Sequence, residues 1–211
     1  KSDSTLWACG LNNGKYGNNT TPNSFSFIEV SNGWKWIDIA GGAIHAIGLT
    51  STGEVLTTGS NGYGQLGYDT FGNNNINFFF NANTTGLNVV DVDAGSMFSM
   101  VLTDDGTVYT FGRNDDGQLG NGNTYSGFNW EIPVNFVGVT IEKIKAGYQG
   151  CMAMTNTELY TWGLNTYMRT SLISGNTLIP YEWSFANPSV DASMGLFNSA
   201  FIIDNEGVYT W

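Results

Sequence analysis

His45 is the only histidine among the 211 residues, so a Ser-His-Asp triad or a histidine general base has to be built around it. It lies inside an apolar run, Ile44-His45-Ala46-Ile47, and related segments fill the same slot with Phe98, Gly150 and Asn198. A slot shared with phenylalanine and glycine makes no proton-transfer demand, so a structural histidine is expected there. Zinc needs several closely spaced His or Cys ligands, and Cys9 and Cys151 are far apart in the chain. Asp104-Asp105-Gly106 and Asn114-Asp115-Asp116-Gly117 cluster oxygens in tight loops, which suits calcium. Neither has the alternating ligand spacing or the closing glutamate, so ordinary turn bonding is expected of both. No glycine turn continues into Gly-Lys-Ser/Thr and a helix, which removes a phosphate loop. The chain is therefore expected to be no enzyme, with no catalytic residue, no metal ligand and no cofactor.

The elements around these residues repeat. An apolar strand ending in glycine occurs at Leu6-Trp7-Ala8-Cys9-Gly10, Val55-Leu56-Thr57-Thr58-Gly59, Val108-Tyr109-Thr110-Phe111-Gly112 and Leu159-Tyr160-Thr161-Trp162-Gly163, and a fifth begins at Val208-Tyr209-Thr210-Trp211. The strand-ending glycines at 10, 59, 112 and 163 recur at intervals of 49, 53 and 51 residues. Upstream of each lies a second block, such as Asp93-Ala94-Gly95-Ser96-Met97-Phe98-Ser99-Met100-Val101-Leu102-Thr103, followed by a tight turn. Short apolar runs closed by Gly, Asn and Asp read as antiparallel hairpins, and no stretch sustains a 3.6-residue period. Asn12, Asn61, Asn114 and Asn165 each sit two residues past the glycine. They are read as turn formers, through the left-handed region and bonds to their own backbone two residues on.

Units of this length without helices predict radial propeller blades, since closing a ring protects the sheet edges. Kelch repeats share the length but carry a paired glycine in each unit, and here only Gly41-Gly42 is paired. Val55 to Gly67 and Val108 to Gly120 each read apolar strand, Gly, x, Asn, x, x, Gly-Gln-Leu-Gly. With Gly64-Gln65-Leu66-Gly67 and Gly117-Gln118-Leu119-Gly120, the chain resembles the repeats of the regulator of chromosome condensation family. The resemblance runs from Leu6 to Trp211 and implies a seven-bladed propeller. Copies drift: Lys15-Tyr16 replaces Gln-Leu in the first, and Met168-Arg169-Thr170-Ser171 stands in the fourth. The family's His-Ser pair is approximated by His45-Ala46, Phe98-Ser99, Gly150-Cys151 and Asn198-Ser199.

The expected fold is all-β, with about four blades forming an arc of a seven-bladed ring. Residues 1–211 form a single propeller segment with units at about 6–54, 55–107, 108–158 and 159–211. Four repeats are fewer than seven, so the chain is expected to be a segment of a longer one, with remaining blades or a partner protein beside its exposed edges. Cys9 and Cys151 are expected as core fillers without a disulfide.

Composition narrows the setting. Charged residues make up 12% of the chain, about half the usual share, and the net charge is -11 with seven Lys and Arg. Nucleic acid is disfavoured because phosphates are bound chiefly by cations, and anionic membrane surfaces are disfavoured for the same reason. No run is long enough to insert across a bilayer as a helix.

Recognition is left to the loops. Tyr68 to Leu87 carries Phe71, Asn74, Phe78, Phe79 and Phe80; Asn121 to Val137 carries Tyr125, Phe128 and Trp130; the fourth repeat offers Tyr181 and Trp183. Aromatics with Asn and Ser on rigid supports are the residue types of adaptable contact surfaces. Burying one Phe is worth about 1.5–3 kcal/mol, so Phe79 is assigned to packing and Phe78 and Phe80 to contact. The reading is a non-enzymatic interaction or structural module, placed in a large assembly such as a virion, tail or cell-surface appendage. The family resemblance implies as alternative a guanine-nucleotide exchange factor for a small GTPase, and a glycan-binding module is a second alternative.

Overall fold

The computed structural model describes residues 3–69, 75–82, 84–165, 175–185, 187, 189–195, 199–204 and 207–210. They contain seventeen strands and no helix. A two-stranded sheet, β1 (Trp7–Gly10) and β2 (Ser24–Glu29), comes first. Blade 1 is β3 (Trp36–Gly41), β4 (His45–Thr50), β5 (Val55–Ser60) and β6 (Asn75–Asn81). Blade 2 is β7 (Val89–Ala94), β8 (Phe98–Thr103), β9 (Val108–Gly112) and β10 (Gly127–Glu131). Blade 3 is β11 (Lys143–Ala146), β12 (Gly150–Met154), β13 (Glu158–Gly163) and β14 (Thr177–Ser184). A three-stranded sheet follows, β15 (Ser189–Met194), β16 (Ser199–Ile203) and β17 (Gly207–Thr210). Every sheet is an antiparallel meander in chain order.

The first strands β3, β7, β11 and β15 lie against one another in succession and surround an axis. Three complete blades with a partial sheet on either side thus make an arc of a propeller. The glycine-ended strand is the third of its blade, so a unit counted from that glycine joins the outer half of one sheet to the inner half of the next. This offset interlocks the repeats. The core lies between blades: Phe98, Met100 and Leu102 of blade 2 pack with Ile144, Cys151 and Trp162 of blade 3. Ile47, Leu49 and Val55 of blade 1 pack with Val92, Val101 and Phe111 of blade 2. No unit covers its own apolar face, which is the physical content of a stacked-repeat fold.

Burial follows radial position. Every residue of the second strands β8 and β12 is buried, because each is covered on both faces and flanked on both edges. Such strands read as continuous apolar runs without alternation. The outer strand β6 alternates instead: Phe79 packs on Trp36 with ring centroids 4.5 Å apart, while Phe78 and Phe80 are exposed.

The Gly-Gln-Leu-Gly turns are blade connectors. Leu66 and Leu119 are fully buried, and so are the Gln65 and Gln118 side chains. The Gln65 carbonyl accepts the Ser99 hydroxyl at 2.9 Å. The Gln118 carbonyl accepts the Trp162 indole N–H at 2.8 Å and the Cys151 thiol at 3.2 Å, tying blade 2 to blade 3. The same loops cover outer edges: Gly122 N–H donates to the Leu178 carbonyl of β14 at 2.9 Å. At the axis, Ala43 N–H donates to Ser96 O and Ser96 N–H to Tyr148 O, one blade to the next. Covered edges are how a sheet avoids uncontrolled pairing.

Cys9 departs from expectation. It is exposed, and only Cys151 is buried; both are free thiols. The reason is local: among the described residues β1 pairs with β2 alone, so Cys9 lacks the inner-strand neighbour that β8 gives Phe111 in blade 2.

Candidate functional surface

The recurrent asparagines hold the loops that carry the exposed aromatics, by a route different from the one expected. Asn12, Asn61 and Asn114 are buried and none has a positive φ. Each side-chain carbonyl instead accepts a backbone N–H four or five residues on: Tyr16 at 3.0 Å, Leu66 at 2.9 Å and Leu119 at 2.8 Å. The Asn114 amide then donates to Asn123 O at 3.1 Å and Tyr125 O at 3.3 Å. The side chain closes a wide loop from inside, which a left-handed backbone at one residue cannot do.

Phe71 and Asn74 lie outside the described residues. Tyr125 is 81% exposed, on a backbone fixed by Asn114 and by Asn123, whose carbonyl accepts its N–H at 2.8 Å. Phe128, Phe78 and Phe80 are each near half exposed, and Phe80 rests on Tyr68 at 4.9 Å. Trp130 and Trp183 are engaged inside the fold. The Trp130 ring stacks on Phe111 at 4.8 Å and donates to Gly67 O at 3.0 Å. Trp183 donates to the Thr161 hydroxyl at 2.9 Å and meets Tyr181, partly buried, edge-on at 5.1 Å. The exposed members of the described set are therefore Phe78, Phe80, Tyr125 and Phe128, all on outer strands or the loops that lead into them. Sequence reasoning passed over Tyr63, which is exposed on the same side, with the Arg113 guanidinium 5.6 Å from its ring centre. Its position directly before the Gly-Gln-Leu-Gly turn is the signal that was available.

Of the groups read as turn formers, Asp105 bonds within its own turn, while Asp116 reaches the next blade. Asp105 accepts the Thr103 hydroxyl at 2.6 Å and Thr107 N–H at 3.0 Å. Asp115 pairs with Arg113 at 2.9 Å, and Asp116 accepts Gln149 and Asn176 side chains of blade 3, each at 2.9 Å. Among the described residues no group of three or more His, Cys, Asp or Glu is placed to hold a metal ion. On the inner strands, Asp38 accepts Val92 N–H at 3.4 Å and Asp93 accepts Ala146 N–H at 2.8 Å, each reaching the next blade. Burial, with Asp38 alongside, pushes the Asp91 carboxyl up to about 7.

His45 is fully buried, with Nε2 2.9 Å from the Ser99 hydroxyl of blade 2. Ser99 gives its proton to Gln65 O, so His45 Nε2 carries the hydrogen in that contact and the ring is neutral. Burial holds its pKa down to about 4, with Lys15 adding a smaller push. Because the folded value lies below the ordinary 6.5, the unfolded chain binds more protons between these limits. His45's own contribution is then full above about pH 6.5 and falls as pH drops toward 4, by on the order of 3 kcal/mol, against the opposite contribution of Asp91 over the same range, so it is read as the difference between wild type and a His45 variant. Urea titrations across that range test this. His45→Phe, which installs the residue blade 2 has at the matching site, is expected to remove this acid limb.

The fold and its loop-bearing rim define an all-β propeller assembled from inter-blade turns, and the comparisons agree. Residues 36–65, 89–118, 52–102 and 105–154 match the regulator of chromosome condensation (RCC1) repeat. The chain belongs to the RCC1 repeat family. It is 30% identical over 182 residues to a Dictyostelium discoideum bifunctional serine/threonine-protein kinase/NEDD4-like E3 ubiquitin-protein ligase, covering 79% of this chain and 10% of that protein. It is 31% identical over 160 residues to the Homo sapiens E3 ubiquitin-protein ligase HERC2, covering 73% of this chain and 3% of that one. The chain thus spans a small part of these relatives. Human WBSCR16 superimposes over 100% of this chain and 58% of its own with a TM-score of 0.89 at 23% identity. Yeast RCC1 does so over 100% and 52% with a TM-score of 0.77 at 18% identity, and at these identities both show the fold alone.

Proposed function

We propose that this chain is a non-enzymatic protein-interaction module whose contact surface is the outer rim carrying Tyr63, Phe78, Phe80, Tyr125 and Phe128. The observation that carries the reading is Tyr125, 81% exposed on a loop whose backbone is clamped from within by buried Asn114. An exposed ring on a rigid support loses little entropy when a partner covers it, and aromatic anchors dominate interface energetics. Relatives that carry these repeats within much longer ligases are consistent with a recognition part of a larger machine.

The yeast relative's structure is described with its binding to Gsp1p and histones, and that protein partnership supports a protein ligand as the class of partner. These relatives give no support to a glycan ligand or to a virion, tail or surface-appendage setting. The test is affinity capture with wild type beside a Tyr125→Ser/Phe128→Ser variant of unchanged melting behaviour. Partner recovery is expected to fall at least tenfold in the variant, the cost of losing two anchors at about 1–2 kcal/mol each. Equal recovery would remove this rim as the contact surface. Nucleotide release from a captured GTPase would instead establish the exchange-factor reading.

A further inference from the structure

The turns between first and second strands converge at one end of the axis and line a cavity of about 400 Å³. Glycines and alanines of the first three blades' turns, Ala43 among them, form most of its wall with Ser96, while Met194 and Gly195 close it on the side of the three-stranded sheet and Tyr148 stands at the edge. The wall is bare for a packing reason: a Cβ at Gly42 would lie 2.3 Å from the His45 ring, and one at Gly95 2.0 Å from Phe98. Of the wall residues, Tyr148 and Met194 carry the long side chains.

What lies beneath it is negative. Asp93 accepts the backbone N–H groups of Ala94 and Ala146, both wall residues, each at 2.8 Å. Asp91 lies two residues before it on the same strand and Asp38 on the inner strand of blade 1, and Lys145 is the cation acting on Asp91 and Asp93. Burial raises the Asp93 pKa, and a cation brought beside it would favour the charged carboxylate and draw that value back down. A second feature is independent of the carboxylates. Ser96 is 5% exposed, lines the cavity, and its buried hydroxyl has no hydrogen-bond partner. Buried hydroxyls without partners are uncommon, and a water or a ligand group supplies the missing bond.

We propose that this axial mouth is a socket for one arginine side chain of a protein partner. The aliphatic stem lies along the alanine and glycine turns, and the guanidinium donates to the Ser96 hydroxyl with its charge facing Asp93. Tyr148, 44% exposed at the edge, offers a ring face for the planar cation. The low charge density of the rim and the acid beneath the mouth together select a cationic, not an acidic, side chain. This socket rests on the protein-interaction reading and gives it a chemical specificity.

The probe is the blocked tripeptide acetyl-Gly-Arg-Gly-amide, titrated into the whole chain while the amide signals of Ala94, Ser96 and Gly147 are followed by NMR. A saturable shift is expected that weakens with salt, and the matched glutamine peptide should bind at least tenfold more weakly. Asp93→Asn is expected to reduce arginine affinity at least tenfold. Ala43→Leu, at an exposed wall position that leaves every carboxylate in place, should do the same by blocking entry. Should Asp93→Asn fail to give a dispersed spectrum, Ala43→Leu decides alone. Equal response to the glutamine peptide, full affinity in the folded variants, or no shift at millimolar arginine peptide would overturn the socket. If partner capture still depends on Tyr125 and Phe128 in that event, the socket alone fails; if that dependence is also missing, the interaction reading fails with it.

Discussion

Gly112→Ala is expected to destabilise the chain by about 3 kcal/mol or more, seen as a lower urea midpoint with little change in slope. Two costs combine. The residue has φ +118°, a region that side chains rarely adopt, and such strain is worth about 1–3 kcal/mol. A Cβ there would also lie 2.7 Å from Met97 O and from Phe98 Cα, both main-chain atoms that cannot turn aside. Phe98 begins β8 and is fully buried, so relief by backbone movement would shift the strand that fills the gap between blades 2 and 3. The control is Gly127→Ala on the paired outer strand, where an added Cβ meets nothing within 4 Å and φ is not positive. That change is expected within about 0.5 kcal/mol of wild type. Equal losses at both sites would show that neither the positive φ nor the close main-chain approach sets the cost at Gly112.

Trp162→Ala is expected to cost about 3–5 kcal/mol. The ring is fully buried between blades 2 and 3, edge-on to Phe136 at 5.5 Å, and its N–H donates to Gln118 O at 2.8 Å. Truncation removes the largest fully buried side chain among the described residues and deprives the Gly-Gln-Leu-Gly turn of its firmest tie to the next blade. Trp162→Phe largely separates the two effects, since it keeps an aromatic ring in the gap, removes the donor and gives up the smaller part of the buried volume. Its expected cost is about 1 kcal/mol, because the Cys151 thiol still reaches the same carbonyl. Chemical denaturation of the pair measures both terms, and a phenylalanine variant as unstable as the alanine one would make the hydrogen bond, not the packing, the dominant contribution.

These two sites differ in how visible they are along the chain. Gly112 announces itself by recurring with Gly10, Gly59 and Gly163, and all four have positive φ. Repetition makes a backbone requirement legible because the same local geometry is needed each time. Trp162 shares its slot with Cys9, Thr58 and Phe111, so nothing in the residue type marks it as the tie between blades. Its partner, Gln118, lies 44 residues away. The same distance hides the roles of the asparagines only in part: their position before the loop is evident, but the inward clasp of Asn114 on Leu119 and Tyr125 appears only once the loop is closed.

The rim shows the limit most clearly. Trp130 and Phe128 are two residues apart on one outer strand and look alike as contact candidates. One stacks on Phe111 and donates to a carbonyl 63 residues earlier, and the other is left near half exposed. The axial mouth had no counterpart in sequence reasoning, since most of its wall is alanine, glycine and serine drawn from four sheets.

The amino-acid sequence by itself determined the strands, the turns that end them, the repeat family and the absence of helix in the described segments. Each of these depends on steric preferences and apolar patterning within a few neighbouring residues. Only the tertiary structure decided which aromatics face outward, that Cys9 is uncovered, and that Asp93 holds Ala146 of the next blade. Those outcomes depend on how one blade is set against the next, and contacts between residues roughly fifty positions apart leave no local mark in the chain.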